Sequence, residues 1–338
     1  MAAIAFLVSI YFFDSEEKTD KSEKTTEQSS ENMTLNETAE NNEVPSEGLA
    51  MLIGKDVSEL VSSFGEPSRK DPSSYGYEWW IYNQNGSAYM QVAVREDTVV
   101  SLYAIGSELN LSPFEIGQPV NALHQNFQME STIDLEWDGN SYRFELSEED
   151  MGVKPLLKIG ETYAQVYIDK FEGTVSSVRF MDAETLIAHR PYELFYRGEI
   201  PAERTLTDEE WEAVDEGNEK QIFDITNVFR ERMGLEKLEW SEDAAQVALG
   251  HSIDMHREGY FSHESPAYGD LGDRLKNGSV KYTMAGENIA AKYVDGIAAF
   301  EGWLNSKGHR EALLNPDFTH LGVGVYQKYY TQNFIKTL

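Results

Sequence analysis

The sequence predicts an α+β fold in two domains. Between residues 48 and 183, aromatic and β-branched residues alternate with the period of two that marks strands, as in Tyr89, Gln91 and Ala93 against Met90, Val92 and Val94. Within that stretch a helix followed by three strands occurs twice, an internal repeat. Residues 218–338 open differently, with two consecutive stretches of helical periodicity. A chain of 338 residues is long enough to give each domain its own core.

The chain starts with an apolar run, Ala2 to Phe13, followed at once by Asp14, Ser15, Glu16 and Glu17. Twelve residues are too few to cross a bilayer, which takes about 20 in a helix. The run also lacks a basic flank and a cleavage site for a signal peptide. Residues 1–13 are therefore expected to be a partial membrane anchor or signal segment, read as the outer part of an anchor whose basic leading residues lie upstream, with a hydrophobic strand at the terminus of a soluble protein as the lesser alternative. Residues 14–47 hold 11 Asp or Glu, three Lys and no aromatic residue. Such a segment buries too little apolar surface to offset its ordering entropy and is expected to be a disordered, acidic stalk.

The formal charge of −31 repels phosphate, so nucleic acid and anionic lipid headgroups are excluded as electrostatic partners and the membrane is met only through the anchor. Residues 48–217 carry 31 acidic and 12 basic residues, a large share of that charge. The chain has no cysteine, which removes disulfides, thiol nucleophiles and thiolate metal sites.

In the repeat domain (48–183) the first copy opens at Ile53-Gly54, with a helix from Asp56 to Phe64 and strands near Tyr77–Tyr82, Ala88–Arg95 and Val99–Ile105. The second opens at Ile116-Gly117, with a helix over Val120–Phe127 and strands near Ser141–Leu146, Ala164–Asp169 and Val175–Phe180; Val153–Leu157 adds a further strand. Residues 184–217 form a connector that packs on its neighbours and contains a helix start, with Thr207 as N-cap and Glu210 completing a capping box.

In residues 218–338, the first helix (Asn218–Arg232) places Ile222, Ile225, Val228 and Phe229 on one stripe and stops at Met233-Gly234. The second begins at Ser241 and is rich in alanine, which lets it lie close to its neighbour. Seven blocks then follow in order: Asn227-x-x-Arg230; Leu238-x-Trp240; Ala245-x-x-Ala248 with His251-Ser252; Tyr260-Phe261-Ser262-His263; Gly286-Glu287-Asn288-Ile289; Trp303-x-x-Ser306-x-Gly308-His309-Arg310; and Gly322-Val323-Gly324-Val325. This order resembles the CAP domain of the cysteine-rich secretory protein, antigen 5 and pathogenesis-related 1 family (SCP-like), in its Gram-positive bacterial form. The repeat domain resembles the domain that precedes it in such proteins.

The resemblance implies an α-β-α sandwich whose sheet includes Leu321–Tyr326 and Tyr329–Phe334. It also implies an extracellular or cell-surface location and a cleft of two His and two acids that in some members holds a divalent metal. His263 matches the first His, Glu287 the first acid and His309 the second His, while Ser306 stands where the second acid is expected.

Two imidazoles and a carboxylate are Zn²⁺ ligand types, so His263, Glu287 and His309 are the expected metal set, with Zn²⁺ or another divalent cation as the cofactor. The same three residues could equally form a buried hydrogen-bonded cluster that serves only the fold. Hydrolysis would also need a general base. Glu264 is the neighbour on offer, but the chain has no His-Glu-x-x-His helix and no Gly-x-Ser-x-Gly elbow, and no catalytic residue is assigned. His251 and His256, five apart on a helix, face different ways, and His320 is set aside in favour of His309. The expected function is an extracellular binding module for an envelope or extracellular ligand. A metal-dependent, peptidase-like hydrolase is the alternative, and lipid or sterol binding a lesser one.

Overall fold

The protein's structure, a computed structural model, describes residues 45–83 and 85–337 together with the backbone of two short strands, β1 (Val8–Ser9) and β2 (Thr25–Glu27). Apart from Val8–Ser9, whose backbone pairs with Met284 and Ala285, and Thr25–Glu27, the expected anchor (1–13) and most of the expected stalk (14–47) lie outside the described residues. Among the described residues no helix is long and apolar enough to cross a membrane. The chain divides into two compact units, Glu17–Thr205 and Leu206–Leu338 with Met1–Glu16.

In the first unit, α1 (Val57–Phe64) is followed by β3 (Arg69–Pro72), β4 (Glu78–Tyr82), β5 (Met90–Arg95) and β6 (Thr98–Ala104). The second copy runs α2 (Val120–Asn126), β7 (Thr132–Trp137), β8 (Asn140–Glu145), α3 (Glu148–Val153), β9 (Leu156–Ile159), β10 (Thr162–Asp169) and β11 (Thr174–Met181). Seven strands form one sheet in the order β3-β4-β5-β6-β11-β10-β9, so the two copies meet at β6 and β11.

The repeat is visible in individual hydrogen bonds. Gly54 and Val57 donate to the carbonyls of Val99 and Asp97, and Gly117 and Val120 donate in the same way to Val175 and Gly173. Each copy thus ties the start of its helix to its last hairpin. The helices cover a sheet face on which Val92, Leu102, Val166, Val178 and Phe180 are fully or almost fully buried.

Several strands depart from expectation: β3 and β7 were not read from the sequence, and the strand expected over Val153–Leu157 begins at Leu156, with Val153 closing α3. The strand read near Ser141–Leu146 is β8, and it leaves the large sheet for a second one of order β2-β12-β8-β7; β9 takes the place beside β10. The reason lies in the supposed connector. Its residues form α4 (Ala183–His189) and β12 (Glu193–Arg197), and Leu186, Ile187, Tyr192 and Leu194 make a core with Tyr142 and Phe144. Burying those side chains draws β8 to β12.

In the second unit, α5 (Asp208–Arg232) starts at a capping box formed by Thr207 and Glu210 and runs without a break through Gly217. There follow β13 (Glu239–Trp240), α6 (Glu242–Glu258), α7 (Leu271–Asn277), β14 (Met284–Ala291), α8 (Gly296–Leu304), α9 (Lys307–Leu313), β15 (His320–Tyr326) and β16 (Tyr329–Lys336). The sheet order is β1-β14-β16-β15-β13. Alternate residues of β16 reach opposite layers: Gln332 donates to Thr226 of α5, while the Asn333 amide, turned so that its oxygen accepts the amide hydrogen of Ala248, meets α6. Helices thus lie on both faces of the sheet, an α-β-α sandwich. A Cβ at Gly322 or Gly324 would strike the backbone of Ala245 or Leu249, so glycine is what lets α6 lie directly on β15.

The outer edge of β15 is covered by β13 only at His320 and Leu321. Beyond that, α5 supplies carboxylates: Glu219 accepts the amide hydrogen of Val325 at 3.0 Å, and Asp215 that of Gln327 at 3.0 Å. Burial pushes both carboxyl groups up to about 7, against these hydrogen bonds; Asp215, Glu216 and Glu242 add repulsion at Glu219.

A group whose pKa is raised by folding favours the folded state below its unfolded pKa and loses that contribution as pH rises through the folded value. Stability is therefore expected to fall as pH rises from about 4 through 7. The melting temperature of wild type should be higher at pH 5.5 than at pH 8. Asp215→Asn/Glu219→Gln, which keeps the acceptors and removes the titration, should lose most of that difference in a thermal melt followed by circular dichroism.

Candidate functional site

The site grows from β14. Alternation along the strand points Glu287 toward α6 and α7 and Asn288 toward α9. The Glu287 carboxylate is almost completely buried, with 3% of its side chain exposed, and a buried charge is tolerated only when paired and hydrogen-bonded. Its partners are at hand: Arg274 Nη2 donates to Oε2 at 2.6 Å, and His263 Nδ1 lies 2.9 Å from Oε1. With the Asn333 amide turned so that its nitrogen faces the carboxylate, Asn333 adds a third donor at 3.1 Å. Burial alone would push this carboxyl up. The hydrogen bond from His263 and the Arg274 charge outweigh burial and hold it below the usual range. An ionised carboxylate only accepts, so Nδ1 of His263 carries the hydrogen and Nε2 is the nitrogen left for a ligand.

Arg274 sits on the buried face of α7 between Leu271 and Leu275, with 5% of its side chain exposed. Besides gripping Glu287, its Nη1 donates to the carbonyls of His263 and Gly269, each at 2.9 Å. One guanidinium thereby fixes both the carboxylate and the loop that carries His263.

Helix α6 fixes the same loop from another side. His251 Nε2 is 3.0 Å from the Ser262 carbonyl, and Asp254 accepts hydrogen bonds from Tyr260 and Ser265. Burial pushes the His251 imidazole down to about 4, so it is neutral at pH 7 and donates through Nε2, while Nδ1 is buried without a hydrogen-bond partner.

His309 comes from α9. Its ring lies 6.3 Å from that of His263, tilted by 40°, and both residues are partly exposed. Behind it, Asn288 donates to the His309 carbonyl at 3.2 Å and to Gln332 at 3.1 Å, which continues to Thr226. Ser306 occupies the N-cap of α9, and its side chain makes no cap hydrogen bond.

The structure thus brings His263, Glu287 and His309 into one cluster, but not as three converging metal ligands. Both Glu287 oxygens are already engaged, and among the described residues no group of three or more His, Cys, Asp or Glu side chains is arranged to hold a metal ion. The two imidazoles lie side by side at the cleft, with Glu287 orienting His263 from behind.

The other histidines stand apart. His256 packs on Tyr326 and Tyr329, and His320 bonds to Thr319 at the other end of the sheet. Arg274 and Asn333 were not read from the sequence as site residues. Arg274 had a signal, a charge at the helical spacing of two buried leucines; Asn333 had none, since its role depends on the strand pairing Glu287↔Asn333.

Residues 53–192 match the model of the CAP-associated N-terminal domain, and residues 223–337 that of the cysteine-rich secretory protein family. The chain is 52% identical over 293 residues to the uncharacterized membrane protein YlbC of Bacillus subtilis, covering 87% of this chain and 85% of that protein. Among solved structures, an extracellular SCP-domain protein from Bacillus anthracis is similar with a TM-score of 0.83 and 44% identity, over 92% of this chain and all of that one. A cysteine-rich secretory protein from Staphylococcus aureus gives 0.79 and 29%, over 88% and 95%.

Removing one partner of a buried ion pair leaves the other uncompensated and costs about 3–5 kcal/mol. Arg274→Met is expected to lower stability by about that much, read as a shift of the urea midpoint, and Arg274→Met/Glu287→Gln by clearly less. Equal losses in the two variants would mean that the guanidinium acts through its loop carbonyls alone.

Proposed function

We propose that this chain, which belongs to the cysteine-rich secretory protein family, is a cell-surface binding module that holds a divalent cation or a polar ligand at His263 and His309 without hydrolysing it. The observation that carries this reading is the state of Glu287. With His263 and His309 both given to the ligand, a hydrolase would need a carboxylate free to take a proton from water. The one carboxylate in the cluster is buried, held ionised and saturated by Arg274 and His263. Ser306, where a second acid would stand, supplies no base of that strength.

His263 Nε2 and His309 would hold a Zn²⁺ or similar ion, and Glu287 would fix the His263 ring through Nδ1. A bound ion would supply Lewis acidity to a ligand oxygen. The chain's own residues bind and orient: Arg274 keeps the loop in place, and Asn288 keeps α9 in place.

The extracellular SCP-domain relative and the membrane-protein relative support placing the module outside the cell at a membrane; in this reading residues 1–13 would tether it and the acidic stalk would space it from the membrane. The ligand it presents the cleft to would belong to the envelope or the extracellular medium.

Calorimetric titration of Zn²⁺ into the whole chain should show binding in the micromolar range that His263→Ala/His309→Ala loses. A pool of unstructured peptides incubated with the same samples should remain intact. Zinc-dependent cleavage that disappears in the double variant would replace this reading with the metal-dependent hydrolase.

A further inference from the structure

Helix α9, which carries His309, is poorly equipped to hold itself. Its seven residues make just under two turns, a length at which an isolated helix is unstable in water. Ser306 at its N-cap forms no side-chain cap bond, and Pro316 prevents the helix from continuing past Asn315. The carbonyls of a last helical turn have no partner further along the helix, and where they are buried they need donors from elsewhere.

One such donor comes from α5. Arg230 is 1% exposed, and its Nη1 donates to the carbonyls of Leu313 at 2.8 Å and Asn315 at 3.0 Å. Its Nε donates to the Glu236 carbonyl at 3.0 Å. A guanidinium at a helix C-terminus satisfies orphan carbonyls and also carries the charge that the negative end of the helix dipole favours. Leu313 lies one turn after His309, whose own carbonyl accepts from Asn288. The turn that carries the imidazole is thus gripped at both ends. Asn227, three residues before Arg230 on α5, provides a contrast. Its side chain donates to the Leu238 carbonyl at 3.0 Å and accepts the Leu238 amide hydrogen at 2.7 Å, bonds that hold the chain before β13 and not α9.

We propose that Arg230 is a positioning residue for His309: it caps the C-terminus of α9 from another helix and thereby sets where the imidazole stands relative to His263. This role rests on the reading of His263 and His309 as the binding pair and adds a residue that acts on it through backbone carbonyls. The separation of 6.3 Å between the two rings is then fixed from two sides, by Glu287 behind His263 and by Arg230 at the end of the helix that brings His309.

The test uses the whole chain. Arg230→Lys keeps the charge and loses the planar fork that spans the carbonyls. The imidazole resonances of His309 in long-range proton–nitrogen NMR spectra should shift, while those of His251 and His256 on α6 stay in place. Zn²⁺ affinity measured by calorimetry should fall about tenfold, the lower end of what losing a supporting residue costs a metal site. Arg230→Gln, which also removes the charge, should move both readouts the same way. Asn227→Ala removes two backbone hydrogen bonds made by the same helix, and should lower the melting temperature without moving His309 or the Zn²⁺ affinity. In a His309→Ala background, Arg230→Lys should leave the residual affinity unchanged. In wild type, the α9 amides should exchange with solvent as slowly as those in the buried part of α5. Fraying of α9 in wild type, unmoved His309 resonances in the Arg230 variants, or an equal displacement in Asn227→Ala would overturn the proposal. Failure of wild type to take up Zn²⁺ would overturn the binding reading instead, and the His309 resonances would still decide the role of Arg230.

Discussion

The C-terminal domain is organised around one buried negative charge. Glu287 lies in the middle of a strand under two helices, where an unpaired carboxylate would cost several kcal/mol or give up its charge. Its ionised state requires donors from independent parts of the chain: Arg274 from α7, His263 from the loop before it, and Asn333 from the neighbouring strand. Each donor is in turn the anchor of its own element. Charge pairing, loop conformation and strand register are therefore coupled, and the partly exposed imidazole of His263 inherits a fixed orientation from groups a ligand never touches.

The same economy governs how the layers approach. Glycines at 322 and 324 remove the side chains that would keep α6 off β15, and Ser252 fills the space with a hydroxyl bonded to the Gly324 carbonyl at 2.8 Å and to Thr331 at 2.9 Å. On the far edge of that strand, Glu219 and Asp215 take the place of a further strand by accepting its outward amides. An edge finished with carboxylates resists pairing with another chain, although it obliges two acids to sit where burial raises their proton affinity.

How far these features could be read from the sequence depended on their range. Period-two alternation located β4, β5, β6, β8, β10 and β11 but not the short β3 or β7, and the capping box at Thr207 and Glu210 located a helix start, because both signals are local. Motif order brought His263, Glu287 and His309 together although up to 46 residues separate them. The migration of β8 into a second sheet was not legible, since it follows from a core shared with Leu186 and Tyr192 more than 40 residues on. Nor were the partners of Glu287. Residue type allowed either a metal ligand or a member of a buried hydrogen-bonded cluster, and the guanidinium that pairs with it is visible only once α7 has packed against β14.

That pairing also sets the electrostatic character of the cleft. Arg274 and Glu287 cancel, and Ser306 brings no second carboxylate, so on the proposed reading a cation at His263 and His309 would have imidazole ligands and no anionic one. Sites that retain metal tightly usually combine more ligands or add anionic ones, and their binding energy doubles as folding energy. Here the fold is already held by the ion pair and the loop bonds. On the proposed reading a bound cation would therefore add little to the stability of the domain, in keeping with reversible binding.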